Sequence, residues 1–153
     1  MKRLAEISNI VAVKEASGNI SQIARVIHEV PSNFHVLSGD DSMTIPVIAL
    51  GGKGIISVVS NEIPAEMTKL ARLAMQGDFH GARELQRKFL ALMEINFIES
   101  NPQPVKAAMA MMGLLKPVFR LPMVFPQPQS IQKIEAVLAE LDMLAHRKMQ
   151  VAG

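Results

Sequence analysis

Lys14 is the residue of this chain best suited to covalent chemistry. It follows directly on Ile10-Val11-Ala12-Val13, a short continuous apolar run of the kind that forms strands buried on both faces of a parallel sheet. A lysine at the C-terminal end of such a strand stands at the rim where α/β barrels carry their reactive groups. Apolar neighbours that strip water from the amine disfavour the ammonium and leave a nucleophile. A neutral amine adds to a ketone and loses water to give an imine. The protonated imine then draws electrons from the adjacent carbon, which becomes an enamine nucleophile. The plainer alternative is a solvated lysine paired with its neighbour Glu15, and spacing alone does not separate the two.

Other polar residues invite less. Asp40 and Asp41 follow the run Phe34 to Ser38 and precede a short helical stretch, so helix capping is a fuller account of them than acid–base work. Gly51, Gly52 and Gly54 come before an apolar run and not after one, which makes them a turn and not a phosphate loop. His28, His35, His80 and His146 show no metal-ligand spacing, and the chain has no cysteine. Disulfides and thiolate metal sites are therefore excluded, and neither a metal nor a cofactor is expected.

The elements that must position Lys14 are legible as punctuation. Asn19, with Gln22 three residues on, opens a helix with Ile20, Ile23, Val26 and Ile27 on one face. Phe34 to Ser38 forms a second strand and Ser42 to Leu50 a short helix. Ile55 to Val59 forms a third buried strand. From Ile63 onward the text is helical. Pro64 suits a first turn, Asp78 caps a long helix, Asn101-Pro102 opens another, and Ser130 caps the last, whose apolar face runs from Ile131 to Leu144. Strands alternating with helices through short connections imply parallel pairing. Three such strands leave two edges unpaired, and a full eight-stranded barrel needs about 250 residues against 153 here.

Composition narrows the classes. The chain is 49% hydrophobic and 20% charged, with 16 Lys and Arg against 14 Asp and Glu. A net charge of +2 gives no basic field for nucleic acid or a membrane surface. No apolar run reaches the ~18 residues of a membrane span, and the first residues carry no signal-peptide core. A cytoplasmic location is expected.

Several ordered segments carry a resemblance to a known family. Val11-Ala12-Val13-Lys14-Glu15-Ala16-Ser17-Gly18-Asn19 resembles the Schiff-base segment of the dihydrodipicolinate synthase family, of the pyruvate-dependent class I aldolase group that includes N-acetylneuraminate lyase. Leu37-Ser38-Gly39-Asp40-Asp41 resembles the segment after the next barrel strand. Gly51-Gly52-Lys53-Gly54-Ile55-Ile56-Ser57-Val58 resembles the last one. Asn101-Pro102-Gln103-Pro104-Val105-Lys106 and Arg120-Leu121-Pro122 resemble stretches of the family's C-terminal helical domain. The implied fold is the C-terminal part of a (β/α)8 barrel, its last three parallel strands, followed by a helical domain. Residues 1–62 would form the partial barrel, and residues 63–153 the last barrel helix and helical domain.

The resemblance also implies roles. Lys14 would form the Schiff base with pyruvate, the Ile56 carbonyl would lie beside bound pyruvate, and Gly39 would line the pocket where a side chain would take up substrate space. Aspartate semialdehyde would be the second substrate, in lysine biosynthesis. The family's carboxylate-binding Gly-Thr-Gly-Glu-type segment, its proton-relaying tyrosine and its arginine for the second substrate lie upstream of the lysine. This chain has no tyrosine. It is therefore expected to supply the covalent group without the relay, and to associate as a homo-oligomer or with the missing N-terminal half. The alternatives are an inactive half-barrel and a pyruvate aldolase for sugar acids.

Overall fold

A computed structural model describes residues 1–145. His146 and the end of the expected helical domain, to Gly153, lie outside the described residues. Two compact units divide the chain, Met1–Met93 and Glu94–Gly153.

The first unit contains a short helix α1 (Lys2–Ala5), strand β1 (Ala12–Glu15), helix α2 (Ile20–Glu29) and strand β2 (His35–Ser38). Strand β1 is shifted two residues along from the apolar run that announces it, so Lys14 sits inside the strand and not after it. Pairing decides this. The Val11 carbonyl accepts from the His35 N–H at 2.9 Å and the Glu15 carbonyl from the Gly39 N–H at 2.7 Å, which carries the ladder out to residue 15. Asn19 caps α2 through the Gln22 N–H at 3.1 Å. The Gln22 side chain does not return to the cap; it donates to Glu15 Oε1 at 3.2 Å and ties α2 to β1.

Strands β1 and β2 pair in parallel, Val13 opposite Val36 and Lys14 opposite Leu37. The third apolar run joins on the far side of β2. Lys53 N–H donates to the Val36 carbonyl, Ser38 N–H to the Gly54 carbonyl, and Ile56 N–H to the Ser38 carbonyl. Ser38 and Ile55 form a parallel bridge. The run stays a single bridge and does not extend to Val59 as a strand, because Val59–Asn61 turns into a 3-10 helix. Asp41 Oδ2 accepts the N–H groups of Val58 and Val59 at 3.2 and 3.1 Å, which takes those donors away from any ladder.

Residues in register share a face of the sheet. Val36 and Ser38 are buried, and helix α3 (Thr44–Ala49) packs on β2 and α2. Helices α4 (Pro64–Met75) and α5 (Phe79–Ile95) follow. Ile48, Ala74 and Ala82 form a buried cluster with Ile45, Leu73 and Phe79 packed against it. Asp78 Oδ1 accepts from the Gly81 N–H at 2.9 Å, the cap expected for α5. Lys14 and Leu37 belong to the opposite face, where Lys14 is exposed and Leu37 half-buried.

In the second unit, α6 (Gln103–Met111) packs on α7 (Pro128–Glu140). Asn101 does not cap α6. That helix begins at Gln103, with Pro104 in its first turn and no side-chain cap. Ser130 is likewise no cap; it is buried within the first turn of α7, which Pro128 opens, since a proline there lacks only an N–H that would have no helical partner. Helix α7 ends at Glu140, so Leu144 falls beyond its apolar face. Lys106 donates to the Val118 carbonyl and lies 4.9 Å over the Phe119 ring. Among the described residues no helix is long and apolar enough to cross a membrane.

Leu138 is fully buried and Leu121 is 87% exposed. Leu138→Ala is expected to lower unfolding free energy by about 2–5 kcal/mol through lost burial and a residual cavity. Leu121→Ala should stay within about 0.5 kcal/mol. Urea midpoints of the two variants check the contrast.

Candidate active site

The three residues singled out by sequence meet at the C-terminal rim of the parallel strands. Lys14 stands one residue before Glu15, whose carbonyl binds the Gly39 N–H. Ile56 is tied through its N–H to the carbonyl of Ser38, the residue before Gly39, at 2.8 Å. A Cβ added at Gly39 would lie 2.8 Å from Lys14 Cε, 3.0 Å from Lys14 Cγ and 2.7 Å from Ala16 Cβ. The lysine stem occupies the volume that a side chain at position 39 would need.

Lys14 is not the surface partner of Glu15. Glu15 turns its carboxylate to the other face, accepting from the Ser17 N–H at 3.3 Å and from Gln22 at 3.2 Å. Among the described residues Lys14 makes no ion pair, and the chain leaves it exposed, so the shelter expected around the amine is not supplied by these elements. Ile56 is also 48% exposed. A cleft of about 340 Å³ runs beside the third apolar run, between it and α4, lined by Leu37, Lys53, Gly54, Ile55, Met67 and Arg72 among others.

Asp40 caps as expected: its Oδ1 accepts from the Ser42 N–H at 3.0 Å and the Ser42 hydroxyl at 2.9 Å. Asp41 does something the sequence did not announce. It is 1% exposed, and its partners Val58 and Val59 lie 17 and 18 residues along the chain, beyond any local spacing rule. The Thr44 hydroxyl donates to the Asp41 carbonyl at 2.7 Å, and Gln86 of α5 donates to the Ser42 carbonyl at 2.9 Å. Burial raises the Asp41 pKa above its ordinary 3.8; the Ser57 hydroxyl and the Val59 and Val58 N–H groups pull it down, and the charge of Asp40 adds to the rise. Oδ1 has no hydrogen bond within normal limits. Among the described residues there is no cluster of three or more His, Cys, Asp or Glu that could hold a metal ion.

Parallel strands alternating with helices, with Lys14 beside Gly39 at their C-terminal rim, are the arrangement of an α/β fold of the TIM-barrel class. The family model described as "Dihydrodipicolinate synthetase family" matches residues 1–141, and the chain belongs to that family. It is 51% identical over 142 residues to the 4-hydroxy-tetrahydrodipicolinate synthase of Koribacter versatilis, covering 93% of this chain and 47% of that protein. The crystal structure of dihydrodipicolinate synthase from Aquifex aeolicus superposes with a TM-score of 0.88 at 42% identity, over 93% of this chain and 48% of the other. A chloride-inhibited dihydrodipicolinate synthase from Acinetobacter baumannii, complexed with pyruvate, gives 0.88 at 35% identity over 93% and 49%. The chain spans about half the length of the curated relatives it matches.

Two outcomes follow. Gly39→Ala forces Lys14 or Ala16 to shift and is expected to destabilise the fold by about 1–3 kcal/mol, read as a lower urea midpoint. For Asp41 the sign comes from its raised pKa. Between the ordinary value and the raised one the folded chain alone holds the proton. The resulting stability is full at low pH and is lost as pH rises through the raised value. The stability of Asp41→Asn relative to the parent should therefore climb as pH goes from about 4 to 7, measured by urea denaturation at each pH.

Proposed function

We propose that this chain carries the Schiff-base half of a pyruvate-dependent aldolase site, condensing pyruvate with aspartate semialdehyde on the route to lysine. Lys14 is the nucleophile. Its free amine adds to the pyruvate ketone and water leaves, forming an imine. Loss of a methyl proton gives the enamine, which attacks the aldehyde carbon of the second substrate and forms the new carbon–carbon bond. Water then hydrolyses the imine, and Lys14 is restored. Gly39 leaves room for the Lys14 stem that holds the keto acid, and the Ile56 carbonyl lies beside that keto acid.

The observation that supports this most is the packing of the Lys14 stem against the missing Cβ of Gly39, in a chain of this family. Residues 1–62 carry the reacting groups in this reading, and residues 63–153 supply the last barrel helix and the helical domain. General acid–base steps are each worth about 10²–10⁴-fold. The groups that the family uses for them precede the lysine, so full turnover requires a polypeptide that supplies the remaining strands and covers the exposed amine. The expected partners are that half and further copies of the chain, in a cytoplasmic enzyme. Neither nucleic acid nor membrane is involved.

Incubation with pyruvate followed by borohydride reduction tests the reading. A stable adduct mapped to Lys14 by mass spectrometry, and lost in Lys14→Ala, is the expected result. A chain that takes up no pyruvate, or takes it up equally on other lysines, overturns it.

A further inference from the structure

Asp41 is unexplained by the reaction as written. It is 1% exposed, it bridges two loops of the rim, and its Oδ1 goes without a normal hydrogen bond. A buried carboxylate is costly unless its hydrogen bonds return the loss. A neutral cap would hold a single turn at lower cost, so its placement calls for an account beyond local capping.

The account lies in what Oδ2 joins. Asp41 belongs to the loop that leaves β2, four residues after Leu37, which sits opposite Lys14. Val58 and Val59 open the turn that leaves the third run, two and three residues after Ile56. Oδ2 takes both N–H groups, so one atom fixes the chain direction just past Ile56. The loop holding Asp41 is itself anchored. Ser38 Oγ donates to the Asp40 carbonyl at 2.8 Å, Gly39 is held by Glu15, and Thr44 and Gln86 bind the Asp41 and Ser42 carbonyls. The Gly39 anchor leads back to the strand of Lys14, the Ser38 anchor to β2, and the Gln86 anchor to α5.

We propose that Asp41 is a positioning residue: it clasps the turn at Val58 and Val59 so that the Ile56 carbonyl is aimed at the keto acid held on Lys14. The inference rests on the Schiff-base reading above. Asp41 touches no substrate; it acts through the backbone of 56–59. An asparagine keeps an oxygen where Oδ2 stands and keeps the clasp. An alanine removes it and frees the turn.

The test uses the whole chain, trapped with borohydride at a series of pyruvate concentrations, with the Lys14 adduct quantified by mass spectrometry. Asp41→Ala is expected to raise the half-saturating pyruvate concentration about tenfold, while Asp41→Asn stays within about threefold of the parent, a difference that mere loss of stability would not produce in folded protein. Coupling is reciprocal, so in the parent chain the trapped adduct is expected to slow hydrogen exchange at Val58 and Val59. A folded Asp41→Ala with the parent's saturation curve overturns the proposal. Should Asp41→Ala fail to melt cooperatively, the exchange measurement on the parent decides, and unchanged exchange at Val58 and Val59 overturns it. Absence of any Lys14 adduct in the parent is a separate failure: it removes the Schiff-base reading itself, and the positioning role with it.

Discussion

The parallel pairing at Ser38 and Gly39 is the constraint on which the rest depends. Ser38 gives its N–H to Gly54 and takes the N–H of Ile56, while Gly39 reaches the other way to Glu15. Two consecutive residues thus lock three chain segments into one register. This places Lys14, Gly39 and Ile56, drawn from three separate parts of the sequence, on one rim. Removing the middle strand would leave a lysine and a carbonyl with no common frame.

The layer built on this pairing is one-sided. Helices α2 and α3 cover the face that carries Val36 and Ser38, and α4 and α5 extend that cover through Ile48, Ala74 and Ala82. On the opposite face Lys14 is exposed and Leu37 half-buried, and Ile56 is 48% exposed. A parallel sheet is ordinarily covered on both faces. The buried contacts therefore lie on the helix side, and Lys14 stands on the side the helices leave more open.

Much of this was legible in the residues, for reasons that can be named. Short apolar runs marked all three paired segments, and Asn19, Pro64 and Asp78 marked helix starts because capping is local. Legibility failed where long-range bonds overrode local text. The edges of β1 were set by His35 and Gly39 across the ladder, not by the apolar run itself. The third run read as a strand to Val59, yet Asp41 bends it away. Asn101 and Ser130 looked like caps because their residue types fit, but prolines nearby set the actual starts. The proximity of Lys14 and Gly39 was legible in the segments around them. Asp41 was not, since its partners lie 17 and 18 residues away.

The tie from Gln22 to Glu15 carries one more consequence. Alternation along a strand has a period of two, so a slip of one residue would exchange the two faces of β1. Glu15 would then point outward, and the lysine would be thrust against α2 and α3, its charge among aliphatic side chains. Glu15 can meet Gln22 only when it faces the helix layer. A single amide–carboxylate contact on the helix side thus acts as a phase marker, matched only to the register that leaves the Lys14 amine on the open side.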